Sequence, residues 1–161
     1  MPRAPIEYSL LPSVLDRLID HEPKVSTESQ SGRNPLPAQI KESVKRDLEW
    51  LLNSKQLLAQ WPEDLRQLEN SVLTYGMPDF SSSTLSSANH QDKLRRTVEE
   101  AIARFEPRLS RVSVTTVEGR EFDRSLRFRI DAMLRVDPAP EPVTFDSVLQ
   151  LTTRAFVVQG D

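Results

Sequence analysis

The sequence predicts an α+β fold, with N-terminal helices packed on a small, mostly antiparallel C-terminal sheet of three to four strands. Two observations carry that expectation. Up to Phe105 the apolar residues recur every three or four positions, and beyond Pro107 they recur every second position. The helical pattern comes first and the strand pattern second, without the alternation that builds parallel sheets. A chain of 161 residues is long enough for one ordinary core and short for two, so a single domain spanning 1–161 is expected.

The elements follow in order. Val14, Leu15, Leu18 and Ile19 share a stripe behind Pro12, which predicts a short helix over about 13–20. The stretch of about 21–37 carries Pro, Ser, Thr, Glu and Gln with few apolar side chains, a composition that cannot offset its ordering entropy, and reads as a linker. Ile40, Val44, Leu48, Leu51 and Leu52 then define a long helix reaching about Leu58, with Glu42 and Arg46 spaced as an i,i+4 pair. Trp61-Pro62 interrupts it. Leu65, Leu68 and Val72 suggest one to two further turns, stopped by Tyr75-Gly76-Met77-Pro78 and followed by a serine-rich loop. A third helix starts near Asn89, turns Leu94, Val98, Ala101, Ile102 and Phe105 inward, and ends because Pro107 forces the preceding residue out of helical geometry.

Val112 and Val114 alternate with Ser113 and Thr115, and Glu118-Gly119-Arg120 supplies a hairpin-type turn. Leu126, Phe128, Ile130, Ala132, Leu134 and Val136 alternate with Arg127, Arg129, Asp131, Met133 and Arg135, the strongest strand pattern in the chain. After the proline-rich 138–142, Val143 to Leu151 and Arg154 to Gln159 make a third and a fourth strand.

Composition narrows function mainly by exclusion. The 21 basic and 24 acidic residues are interspersed, leaving no single-sign field for nucleic acid or anionic lipid. No apolar run is long enough to insert in a membrane, the first residues lack a signal-peptide pattern, and there are no cysteines, so a cytoplasmic protein is expected. His21 and His90 are the only imidazoles and have no second ligand at metal spacing. No phosphate loop or nucleophile elbow is present, and no cofactor, metal or catalytic residue is expected. A glycosidase needs only two carboxylates, for which Glu106 and Asp131 are the natural pair. Against it, Asp131 shares a strand face with Arg127, Arg129 and Arg135, and Trp50 and Trp61 read as core residues rather than sugar platforms.

Two features point to partner binding. Pro107 stiffens the junction Phe105-Glu106-Pro107-Arg108-Leu109, which would hold Glu106 and Arg108 ready for charge-assisted bonds to another protein, although a helix terminator with two solvated charges explains the spacing equally. Arg127 and Arg129 mark a basic sheet face, and a short sheet with an open edge can accept a strand.

Several blocks resemble the tail-lysozyme-like baseplate wedge family of phage tails and type VI secretion. They are Ser43-Val44-Lys45-Arg46-Asp47-Leu48-Glu49-Trp50-Leu51-Leu52-Asn53, Ser71-Val72-Leu73-Thr74-Tyr75-Gly76-Met77-Pro78-Asp79, and the Glu-Pro-Arg block Phe105 to Leu109. Leu126 to Ala132 and Pro138 to Val143 are closer to the secretion branch. The resemblance implies a structural, non-enzymatic subunit present in six copies around a baseplate and monomeric in isolation. It implies contacts with other wedge proteins through Glu106, Pro107 and Arg108, and initiation of sheath polymerisation by strand addition from contractile sheath subunits. The alternatives are a peptidoglycan-cleaving lysozyme-like hydrolase and an adaptor unrelated to injection.

Overall fold

In the computed structural model the described residues are 16, 18–19, 37–57, 64–80, 87–117, 125–136 and 139–160. Residues 21–36 of the expected linker, Trp61 and the turn 118–120 lie outside them, while Pro37, counted with the linker, begins the long helix. Of the expected N-terminal helix, Asp16 and Leu18 have helical backbone. Leu18, assigned to its core-facing stripe, is instead 76% exposed.

Helix α1 (Pro37–Asn53) opens on a proline, whose missing amide proton costs nothing in a first turn. Its stripe Val44, Leu48, Leu51 and Leu52 is buried as the spacing requires. Two expectations change here. The helix stops at Asn53 rather than near Leu58, because Lys55 leaves it to form a parallel bridge with Met77, with Ser54 O accepting from Met77 N at 2.8 Å and Gln56 N donating to Met77 O at 2.9 Å. Trp50 falls out of phase with the buried stripe and is 49% exposed on the outer side of α1, not in the core, with the Arg46 guanidinium 5.1 Å from its ring.

The segment expected to add helical turns forms two 3-10 pieces, η1 (Arg66–Asn70) and η2 (Val72–Thr74). Val72 and Leu65 point outward, while the buried Thr74 hydroxyl bonds back to the carbonyl of Leu68 at 2.9 Å. Gly76 then makes the turn the sequence promised. Its φ is +102°, and a β-carbon there would stand 2.5 Å from the Ser54 carbonyl oxygen. Gly76→Ala should therefore cost about 2–3 kcal/mol, combining an unfavourable φ with a backbone clash. A urea melt checks this, and a change below about 0.5 kcal/mol would show that the turn can relax.

Helix α2 (Ala88–Phe105) buries Leu94, Val98, Ala101 and Ile102 and ends one residue before the non-helical Glu106. The sheet follows as β1 (Leu109–Val117), β2 (Ser125–Leu134), β3 (Glu141–Gln150) and β4 (Phe156–Gly160). Its order is β1-β2-β3-β4 and every neighbouring pair is antiparallel. Val136, counted with the second strand in the sequence, lies beyond its end.

Cross-strand register explains the core. Val114, Ile130, Phe145 and Gly160 lie side by side, as do Leu126, Leu149 and Phe156. These rows face the two helices, α2 packing against β1 and α1 against β4. The other face stays open and carries Arg127, Arg129, Asp131, Asp146 and Gln159 at alternating positions.

Candidate partner-docking site at the helix-to-strand junction

The junction between α2 and β1 is built by one non-helical residue and one proline. Glu106 leaves the helix with φ −117° and ψ 81°, its amide still bonded to the Ile102 carbonyl. Pro107 is exposed, whereas Glu106 is 4% exposed and turned inward.

Arg108 returns across the turn to meet it. Its Nε donates to Glu106 Oε1 at 2.7 Å and its Nη2 to Glu106 Oε2 at 2.6 Å, a bidentate pair. The same guanidinium donates from Nη2 to Asp47 Oδ2 and from Nη1 to Ser43 Oγ at 2.9 Å. Asp16 completes the cluster, accepting from Ser43 Oγ at 2.7 Å and from Arg46 Nη2 at 2.6 Å. Arg46 also donates to Asp47 Oδ1 at 2.8 Å. The pair expected between Glu42 and Arg46 does not form in this way: Glu42 holds Lys45, and Arg46 turns to Asp16 and Asp47.

The electrostatics follow from this wiring. Burial opposes charge on the Arg108 guanidinium, but hydrogen bonds and attraction from Glu106, then Asp47, outweigh it and raise its pKa above the ordinary arginine value. Arg46 shows the same balance, with burial opposed by Asp16 and Asp47, and its pKa is also raised. Both are permanent cations. Tyr75 lies beside the cluster with its ring edge-on to Phe105 at 5.3 Å. Burial first, and then the charges of Asp47 and Glu106, push its phenol up. Leu51, Tyr75, Phe105 and Pro107 line an open hollow of about 330 Å³, with Asp47, Glu106 and Arg108 completing its wall.

The structure thus brings Glu106, Pro107 and Arg108 together and separates them from Arg127 and Arg129, which stand on the open sheet face. Arg129 Nε is 3.3 Å from Asp146 Oδ1, a half-exposed pair. Asp131 accepts from Thr144 Oγ1 at 2.8 Å rather than pairing with the strand arginines. Sequence reading missed Asp16, Ser43, Arg46 and Asp47. The last three repeat at helical spacing on one side of α1, a polar stripe beside the apolar one that could have signalled a charged neighbour.

Nothing in this geometry favours a glycosidase. Both carboxylate oxygens of Glu106 are engaged by Arg108, and Asp131 stands on the open sheet face. Among the described residues no group of three or more metal-ligating side chains forms. No helix among them is long and apolar enough to cross a membrane.

The family model described as Baseplate wedge protein gp25 matches residues 38–139, from α1 through the Glu-Pro-Arg junction and β2 to just before β3. The chain belongs to that family. As a gp25-family protein it is a structural, non-enzymatic component of the baseplate of a contractile tail or injection machine, and the hydrolase alternative falls away. Family membership also implies contact with other baseplate components. No curated protein matches the chain.

Proposed function

We propose that this gp25-family chain is the type VI secretion member of the wedge, docking to other wedge proteins and starting sheath polymerisation by strand addition. The family match over 38–139 supports the baseplate role on which the reading is built. The secretion branch is supported by the resemblance of Leu126 to Ala132 and of Pro138 to Val143. In this reading six cytoplasmic copies surround the baseplate, and the chain is a monomer until it meets its partners.

The docking residues divide into two kinds. Arg127 and Arg129 stand exposed on the open sheet face, Arg129 beside Asp146, where a neighbour's carboxylates can reach them. Glu106 and Arg108 act from within, holding Pro107 and the hollow beside it at a fixed position, so that docking there orders few groups.

Co-purification tests this. Arg127→Ala with Arg129→Ala lowers the melting temperature only slightly, since both side chains are exposed and the Arg129–Asp146 pair is half-exposed, and lowers recovery of the remaining wedge proteins at least about tenfold through lost charge-assisted contacts. Wild-type recovery from a folded double variant rejects the docking face.

A further inference from the structure

Both edges of the sheet are already occupied at one position by side chains from a helix, two on β1 and one on β4. On β1, Arg95 Nη1 donates to the Val114 carbonyl at 3.1 Å, and Glu99 Oε2 accepts the Val114 amide at 2.9 Å. On β4, Asn53 Nδ2 donates to the Phe156 carbonyl at 2.9 Å, and Asn53 Oδ1 accepts the Phe156 amide at 2.9 Å. One side-chain amide thus reproduces the two bonds that a neighbouring strand would make there.

We propose that β4 is the edge that accepts the incoming strand, and that Asn53 is a removable plug on it. This rests on the strand-addition reading above and adds which edge is used and how it stays closed. Three observations separate the edges. Displacing Asn53 exchanges a neutral amide for a peptide amide, bond for bond. Displacing the β1 clamp breaks charge-assisted bonds from a pair that is itself tied together, Arg95 Nη1 to Glu99 Oε2 at 3.2 Å and Arg95 Nε to Asp92 Oδ1 at 2.9 Å. The β1 edge is also deformed: its register shifts between Ser110 and Ser113, with Arg111 at φ +52°, the kind of bulge that discourages edge pairing.

The alternation of an antiparallel ladder then places Val158 and Gly160, like Phe156, with their amides and carbonyls on the outer side of β4. Among the described residues no side chain bonds those groups. At Gly160 the nearest atoms to a built β-carbon include Lys45 Cδ at 3.5 Å and Lys41 Cε at 3.8 Å. Lys41, Lys45, Glu49 and Asn53 repeat every fourth residue of α1, a polar fringe running along β4. The occupant that fits is an extended segment of a sheath subunit whose backbone meets the outward amides and carbonyls of Val158 and Gly160.

Edge prolines test the choice, since a proline removes an outward amide without entering the ladder. In cells, Gly160→Pro should reduce sheath formation at least tenfold and Thr116→Pro, its β1 counterpart, should leave it unchanged, with both folded by circular dichroism. Hydrogen exchange on the full chain, free and assembled with the sheath subunit, gives a reading independent of any variant. It should show protection on assembly at Phe156, Val158 and Gly160 and none at Val112 and Thr116. In the free protein, Asn53→Ala should speed exchange of the Phe156 amide at least tenfold, and an unchanged rate rejects the plug. Loss of sheath with Thr116→Pro alone, or protection confined to β1, overturns the choice of edge while keeping strand addition. Loss with both prolines overturns the use of a single edge. Normal sheath with both, and protection on neither edge, removes strand addition itself.

Discussion

Arg108→Ala should lower the folding free energy by about 3–5 kcal/mol, because it leaves the buried Glu106 carboxylate without the cation that engages both its oxygens. The loss exceeds that of an ordinary salt bridge, which contributes about 0–1 kcal/mol when exposed. Here the Arg108 side chain is 15% exposed and that of Glu106 5%, so water can replace little of the lost attraction. Urea denaturation at neutral pH measures the change. The companion variant is Glu106→Leu with Arg108→Met, which removes both charges together and should recover much of the loss, since Arg46 still holds Asp16 and Asp47. A single variant within about 0.5 kcal/mol of wild type would mean that Glu106 finds water or another donor. This alters what the residue reports in cells. From sequence, Arg108→Ala would be a folded monomer defective only in assembly. With the guanidinium wired into α1, failed assembly in that variant would combine lost docking with lost stability, whereas the exposed Arg127 and Arg129 separate the two.

Phe145→Ala should cost a similar amount, about 3–5 kcal/mol, through a cavity at the centre of the sheet. Phe145 is fully buried on β3 between Ile130 of β2 and Gly160 of β4. Gly160 has no side chain to move into the space, so collapse around the missing ring is limited. Chemical denaturation with an unchanged m-value is the measurement. A loss below about 1.5 kcal/mol would show that the helices settle onto the sheet when the ring is gone. Val72→Ala is the contrast: Val72 was placed on an apolar stripe by spacing but is 83% exposed, and its truncation should stay within about 0.5 kcal/mol.

How far the sequence could be read varied with the kind of pattern. The strand period in 126–134 was strong enough to assign nearly every inward residue, because a sheet with one open face sorts apolar and polar side chains strictly by parity. The stripe Leu94, Val98, Ala101 and Ile102 did the same for α2. Short or mixed segments misled. Trp50 was assigned to the core by its chemistry alone, although its helical phase points it outward under Arg46. Leu65 and Val72 kept a helical spacing in a segment too short to fold as more than 3-10 turns.

What the sequence by itself determined is everything governed by local periodicity and backbone restriction: an α+β order of elements, the helix end before Pro107 and the tight turn at Gly76, together with a resemblance to the baseplate wedge family that the match over 38–139 bears out. What only the tertiary structure decided is where the polar groups go. Nothing in the spacing of Glu106 and Arg108 says that they face each other rather than solvent, or that Ser43 and Asp47, some sixty positions earlier, meet the same guanidinium. Nor does it say that Asn53 closes β4 and that Arg95 and Glu99 close β1. The physical reason is common to all of them. Apolar burial follows a short-range pattern that repeats along the chain, whereas a hydrogen bond or ion pair needs two specific groups within about 3 Å, and only packing brings distant residues that close.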